Sequence, residues 1–395
     1  MPAAALPLLR ELIALPSVNP AFLPGREALT GERRVADFLA ATADRAGLEL
    51  KWQEVFPGRS NLLIHLTPAG EKASRRILLA PHMDTVGVDG EARFQPVLKA
   101  GRLHGRGACD TKGSIAAYLA AMLEVATNGP RPRETEIILT ALVDEENNQS
   151  GSRALVKGTL LSSSSPKSAR RTADQRGFPT FAIVGEPTLC KAVTAHKGDL
   201  WLRLTTHGKA AHGSKPHLGR NAIHAMARVI EELETHYAAA LKGRTHPLLG
   251  HATVNVGTIV GGKQPNIVPD HCEITIDRRT LPGESDAAVF AEIKAILRRL
   301  HVDAELTDTK NAPCPALETD ANLPLVRALM RCAGQRRPQG VHYFSDAAVL
   351  ASGGIPSVLL GPGDIAQAHT ADEWIEVAQL ERATALLVKF LREQP

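Results

Sequence analysis

Short apolar runs that stop at ionisable residues recur along this chain. The run in "RRILLAPHMD" ends at His82 and Asp84, that in "TEIILTALVDEE" at Glu145 and Glu146, that in "TFAIVGEPT" at Glu186, and that in "PSVLLGPGDIAQAH" at His369. Runs of this length bounded by Arg, Gly and Pro predict buried strands. Open α/β sheets collect their chemistry beyond the carboxyl ends of the strands, so strands that deliver His and carboxylate groups there predict a single site. Between the first two runs, "GRGACDTKGSIAAYLAAMLEVA" predicts a Gly-rich turn holding Asp110, then a helix over about 113–127 with apolar residues at helical spacing. Asp110 therefore stands at a helix entrance on the same edge.

The middle of the chain follows a different pattern. A strand in "DLWLRLTTHG", a helix after Arg220, strands in "TVNVGTIVG" and "CEITIDRRT", a helix over 286–300 and a strand in "VDAELT" give a β-α-β-β-α-β order. That order predicts a compact α+β module of the ferredoxin-like kind. It would occupy 192–309, inserted into a larger α/β domain made of 1–191 and 310–395. Two domains also suit the length, since 395 residues exceed the roughly 250–300 at which single cores stop growing. The Ser-rich basic stretch "LSSSSPKSARRTADQRG" at 161–177 reads as a loop.

Composition narrows the partners. Hydrophobic residues at 44% and charged ones at 22% are ordinary for a soluble globular protein. A net charge of +4 with scattered basic residues leaves no nucleic-acid footprint, and suits a small anionic molecule. The five cysteines are odd in number, widely spaced and free of any CxxC pair, which argues against a disulfide framework and a thiolate zinc site. In the N-terminal "MPAAALPLLRELIALPSVNP" the apolar run is interrupted by Arg10 and Glu11 and lacks a basic leader, so it predicts an amphipathic helix ending near Pro16. No apolar span of about 18 residues follows, and the expectation is a cytoplasmic protein without a membrane partner.

His82, Asp110, Glu146, Glu186 and His369 offer the nitrogen and oxygen donors of a divalent-cation site. They are too many for one open zinc and suit two zinc ions if one carboxylate bridges. Three carboxylates and a bridging hydroxide balance the charge of two such ions, whereas without metal the same carboxylates would repel and raise at least one pKa. Asp84 is placed to accept the proton on the other ring nitrogen of His82 and fix its tautomer. Glu145 adjoins Glu146, and adjacent side chains in extended backbone point to opposite sides. One can hold metal while the other faces substrate and water as a general base. No G-x-G-x-x-G follows the first strand, which counts against a dinucleotide-dependent redox enzyme.

In chain order, "HMD", "GRGACDTKG", "DEE", "GEPT" and "AHTADEW" resemble the dinuclear zinc hydrolases that include acetylornithine deacetylase, succinyl-diaminopimelate desuccinylase, aminoacylase and carboxypeptidase relatives. The resemblance spans nearly the whole chain, and "LLGPGDIAQAHTADEWIEV" is most similar to the acetylornithine deacetylase branch. It implies an α/β catalytic domain with a mostly parallel sheet flanked by helices, plus an inserted α+β lid and dimerisation domain. By that resemblance His82, Asp110 and Glu186 hold one zinc, Asp110, Glu146 and His369 hold the other with Asp110 as the bridge, and Glu145 is the base. Cobalt or manganese are possible substitutes. His212 in "AAHGS" matches a histidine that reaches a partner subunit's active site in a homodimer, and Asn266 and Arg279 match positions that hold the substrate's carbonyl or carboxylate end. The implied reaction is zinc-dependent amide hydrolysis of an N-acyl amino acid, foremost N-acetylornithine in arginine biosynthesis, with succinyl-diaminopimelate or a short peptide as the alternative substrate.

Overall fold

A computed structural model describes residues 5–70, 72–162, 178–310 and 312–395, so 163–177 of the Ser-rich stretch lies outside the described residues. The chain divides into two compact units. One comprises Met1–Thr194, Thr319–Gln339 and Ser345–Pro395, the other Ala195–Glu318 and Gly340–Phe344. Compared with the insertion expected at 192–309, the second unit ends later and takes in a separate short piece of chain.

The sheet of the first unit runs in the order Glu49–Phe56, Arg59–Leu66, Thr135–Ala141, Arg75–Ala80, Phe181–Val184, Ser357–Leu359, Val193–His196. Its parallel part is confined to the centre, where Thr135–Ala141, Arg75–Ala80, Phe181–Val184 and Ser357–Leu359 pair in turn, and the margins are antiparallel. The centre is also where the uninterrupted apolar runs lie: every residue of Thr135–Ala141 is buried, as parallel strands covered on both faces require. The helix Lys112–Thr127 is buried almost all round, which fits its position against the helices Ala5–Ala14 and Val377–Arg392. Ile77, Leu79, Ile137, Leu139, Tyr118, Leu119, Leu387 and Phe390 belong to the core these elements share. A small antiparallel sheet pairs Arg102–His104 with both Val97–Lys99 and Trp374–Glu376. No helix among the described residues is long and apolar enough to cross a membrane.

The second unit holds an antiparallel sheet in the order Thr253–Gly261, His271–Thr280, Gly198–His207, Ala304–Asp308. That is the ferredoxin-like arrangement of the β-α-β-β-α-β sequence order. Its helices Ala222–Glu232 and Asp286–Arg299 start at the caps Asn221 and Ser285, whose side chains accept from His224 N–H and Ala288 N–H. Leu202, Leu204, Met226, Val229, Ile274 and Ile293 form its core. Gly340–Phe344 joins it through Lys197 N–H, which donates to Val341 O at 3.3 Å. Phe344 also flanks the Lys310 ammonium, which lies 4.2 Å from its ring, 4.4 Å from that of Trp201 and 2.5 Å from Asp199 Oδ2.

Candidate metal centre

The strand Arg75–Ala80 does not end its pairing at Pro81. Leu142 N–H donates to Pro81 O at 2.9 Å and Met83 N–H to Leu142 O at 2.8 Å. This extension carries His82 and Asp84 alongside the turn that bears Asp144, Glu145 and Glu146. The Asp84 carboxylate then ties the two segments together, accepting Glu145 N–H on Oδ1 and Glu146 N–H on Oδ2, each at 3.1 Å, and Asn19 Nδ2 at 2.8 Å. His82 Nδ1 faces the Asp84 carbonyl at 3.0 Å and its carboxylate at 3.5 Å, so the proton on that nitrogen is held and Nε2 is turned inward. Burial opposes ionisation of Asp84, yet His82, Asn19 and the Glu145 amide keep its pKa below the ordinary value.

Asp144 adopts φ +65°, a left-handed conformation that costs a non-glycine residue energy. Its carboxylate is held by Ser150 Oγ at 2.5 Å, Asn19 Nδ2 at 3.0 Å and an Arg59 guanidinium nitrogen at 3.4 Å. These contacts over-determine the turn that presents Glu145 and Glu146.

Five side chains meet beyond the sheet edge. Ligand atoms of His82, Asp110 and Glu186 lie within 4.8 Å of one another, and so do those of Asp110, Glu146 and His369. Asp110 is common to both groups: Oδ1 is 3.1 Å from His82 Nε2 and Oδ2 is 3.3 Å from His369 Nε2, which is also 3.2 Å from Glu146 Oε2. The first group is buried, whereas the His369 side chain is 57% exposed on a residue with φ +61°.

Carboxyl groups outnumber imidazoles at the site. Burial, reinforced by Asp110, raises the pKa of Glu146 to about 7 and that of Glu186 well above the usual carboxylate range. Burial raises Glu145 as well, against the pull of His82. Among the described residues, Glu146 Oε1 and Glu186 Oε1 are buried without a hydrogen-bond partner. Orphaned acceptors of this kind are costly, and a pair of divalent cations would satisfy them. The donor set of imidazole nitrogens and carboxylate oxygens, without thiolate, fits such ions.

The remaining residues singled out in the sequence lie in the second unit. His212 pairs with Ile267 in an isolated bridge, and Gly213 N–H donates to Asn266 O at 2.7 Å, so His212 and Asn266 share one loop pair. Ser214 N–H donates to His212 Nδ1 at 3.1 Å, which leaves the neutral ring's proton on Nε2, and the imidazole is exposed. Arg279 is held bidentately by Asp277 at 2.8 and 2.9 Å.

Asp346 and Glu373 are buried acids that escaped the sequence reading. Asp346, at the start of the helix Asp346–Ser352, bonds Ser152 Oγ through Oδ1 at 2.5 Å, and burial raises its pKa to about 7. Its negative potential reaches Glu145 and Glu186. The only signal was an acid in the apolar "FSDAAVL", which also reads as a solvent-facing helix start. Glu373 lies within "AHTADEW", beside His369, and receives the turn that carries Asp110.

The sequence profile of the peptidase family M20/M25/M40 matches residues 78–393. Among curated proteins, an acetylornithine deacetylase from Proteus mirabilis is 30% identical over 400 residues, covering 96% of this chain and 94% of that protein. Among solved structures, an M20 family metallo-carboxypeptidase from Sulfolobus solfataricus superposes with a TM-score of 0.74 at 20% identity, covering 98% of each chain. A dinuclear metal-binding M20 peptidase from Bacillus subtilis superposes with a TM-score of 0.66 at 14% identity, covering 98% of this chain and 96% of that one.

Proposed function

The chain belongs to the M20/M25/M40 peptidase family and is a metal-dependent hydrolase, and from that premise we propose that it hydrolyses the amide bond of an N-acyl amino acid, foremost N-acetylornithine to ornithine and acetate. The observation that carries the reading is the pair of ligand groups sharing Asp110, with orphaned Glu146 and Glu186 oxygens and Glu145 buried alongside. His82, Asp110 and Glu186 would hold one ion, and Asp110, Glu146 and His369 the other. Two ions, zinc in our reading with cobalt or manganese as substitutes, supply polarisation of the amide carbonyl and a lowered pKa of attacking water.

Glu145 takes the proton of the attacking water and returns it to the leaving amine nitrogen. Its backbone N–H is fixed by Asp84, so the carboxylate has a defined position beside the metal-holding Glu146. Asp84 holds the His82 ring so that Nε2 is the liganding atom. In the second unit, Arg279 and Asn266 are the residues we assign to the substrate's carboxylate and carbonyl. His212 of a second copy in a homodimer, with its proton on Nε2, is the donor we assign to the tetrahedral oxyanion. The reading places the protein in the cytoplasm, in arginine biosynthesis.

Zinc-loaded and metal-stripped protein assayed against N-acetylornithine, succinyl-diaminopimelate and dipeptides tests this. Metal-dependent release of ornithine at the highest kcat/KM is expected. Preference for succinyl-diaminopimelate or dipeptides, the second reading, would replace the substrate assignment. No metal-dependent turnover of any amide would remove the reaction itself.

A further inference from the structure

The strands Arg102–His104 and Trp374–Glu376 pair antiparallel, with His104 opposite Trp374. From one end of that ladder leave two loops: residues 105–110 lead to Asp110, and residues 369–373 lead back to His369. The ladder does not stop where the strands do, because Gly105 N–H donates to Glu373 O at 3.0 Å. Beyond it Glu373, only 3% exposed, folds its side chain into the first loop. Its Oε2 accepts Gly107 N–H and Arg106 Nη1, both at 2.8 Å, and its Oε1 accepts Cys109 N–H at 2.7 Å and Asp110 N–H at 2.9 Å.

A carboxylate ringed by main-chain amides is an anion in a nest, and four donors saturate it. The loop is shaped for this. Gly107 has φ +81°, and a Cβ there would meet Lys112 Cδ at 2.8 Å and Thr85 Cγ2 at 3.0 Å. No side chain fits where the loop wraps the carboxylate.

We propose that Glu373 is a positioning residue that locks the Asp110 turn to the His369 loop and thereby sets the affinity of the Asp110, Glu146 and His369 group for its metal ion. The proposal rests on the metal-centre reading above. Its asymmetry follows from where the ligands are rooted. Both groups share Asp110, but His82 follows the strand Arg75–Ala80 and Glu186 follows Phe181–Val184, so the first group keeps two of its three ligands on the central sheet when Glu373 is altered. The second group draws both Asp110 and the exposed His369 from the two loops that Glu373 joins. A glutamine in its place offers one acceptor oxygen and turns an amide NH2 against N–H donors, which opens the nest without removing bulk.

The test is titration of metal-free full-length protein with Zn2+ under chelator competition, followed by the absorption spectrum of the Co2+-loaded protein. Wild type should take up two ions. Glu373→Gln should keep the first ion within about threefold of its wild-type Kd and weaken the second by about 10- to 100-fold, the range known for residues that orient metal ligands. The Co2+ bands of the second equivalent should change with it. Glu373→Asp, which keeps the charge but is too short for all four donors, should weaken the second ion by less, and it carries the test should the glutamine variant not fold. Glu136→Gln, remote from these loops, controls for destabilisation and should lower Tm without altering either Kd. If both Glu373 variants bind both ions as wild type does, Glu373 is structural only and the proposal falls. A wild type that binds fewer than two ions overturns the metal-centre reading, and this proposal with it.

Discussion

The paired strands Arg75–Ala80 and Thr135–Ala141 carry acids at both ends and treat them in opposite ways. At the amino end, Glu136 lies 2.8 Å from His65 Nδ1 and contacts Arg76. The His65 hydrogen bond, then Arg76 against the cost of burial, pulls its pKa down to about 2. At the carboxyl end, Glu145 and Glu146 are buried among further carboxylates, and burial pushes Glu146 up to about 7 and Glu145 well above the ordinary value. One end is a cluster the protein closes for itself, with Arg76 and the His65 ring against Glu136. The other is left open: its own countercharge is at most His82 and His369, and divalent ions bound there would supply the rest.

The largest effect should come from removing the residue on which the open end converges. Asp110→Ala should lose both metal ions, read by elemental analysis, and reduce activity to background; retention of both at wild-type affinity would show that Asp110 is not shared. Next, Glu145→Gln should lower kcat by about 10²- to 10⁴-fold while metal content stays intact. Loss of metal together with activity would make Glu145 a ligand.

A third expectation compares the two ends by pH. Acids with raised pKa bind protons in the folded state that the unfolded chain has released, so their contribution to stability falls as pH rises from about 4.5 to about 7, the span given by Glu146. Metal-stripped protein should therefore lose Tm across that window, and metal-loaded protein should not. Binding of Zn2+ near neutral pH should also release protons into a weakly buffered solution. Equal pH profiles with and without metal would contradict the open-end description. The smallest effect belongs to the closed end. Glu136 has a depressed pKa, so its contribution is present above about pH 4.5 and is lost as pH falls towards about 2. Glu136→Gln should cost about 1–3 kcal/mol at neutral pH and flatten that acid limb, measured by denaturant unfolding at several pH values.

The sequence showed the open end well because an ionisable residue closing an apolar run breaks a strong pattern. His82, Glu145, Glu146, Glu186 and His369 all stand at such breaks, and ligand atoms of His82, Glu146, Glu186 and His369 gather around Asp110. Glu373 breaks no pattern. Its meaning depends on amides of residues 107, 109 and 110, which only the fold brings near. Asp346 was hidden for a related reason, since its partner Ser152 comes from another helix. Strand direction at the sheet margins was equally unreadable, because the pattern of burial tells a strand's depth and not which neighbour it takes. In the second unit the alternation in "CEITIDRRT" matches the buried face at Cys272, Ile274 and Ile276, while Arg278 is buried on that face against the pattern.

The ammonium of Lys310 between the rings of Trp201 and Phe344 bears on how this protein can be taken apart. A fragment cut to the contiguous stretch 195–318 would keep Lys310, Trp201 and Asp199 but leave Phe344 behind, stripping one aromatic wall from a cation that is otherwise almost enclosed. The ferredoxin-like unit is therefore not a cassette with a single entry and exit. Transplanting it between scaffolds means carrying two stretches of chain, and grafts that move only the longer one begin with a wet, half-stacked lysine where the native unit has a sealed seam.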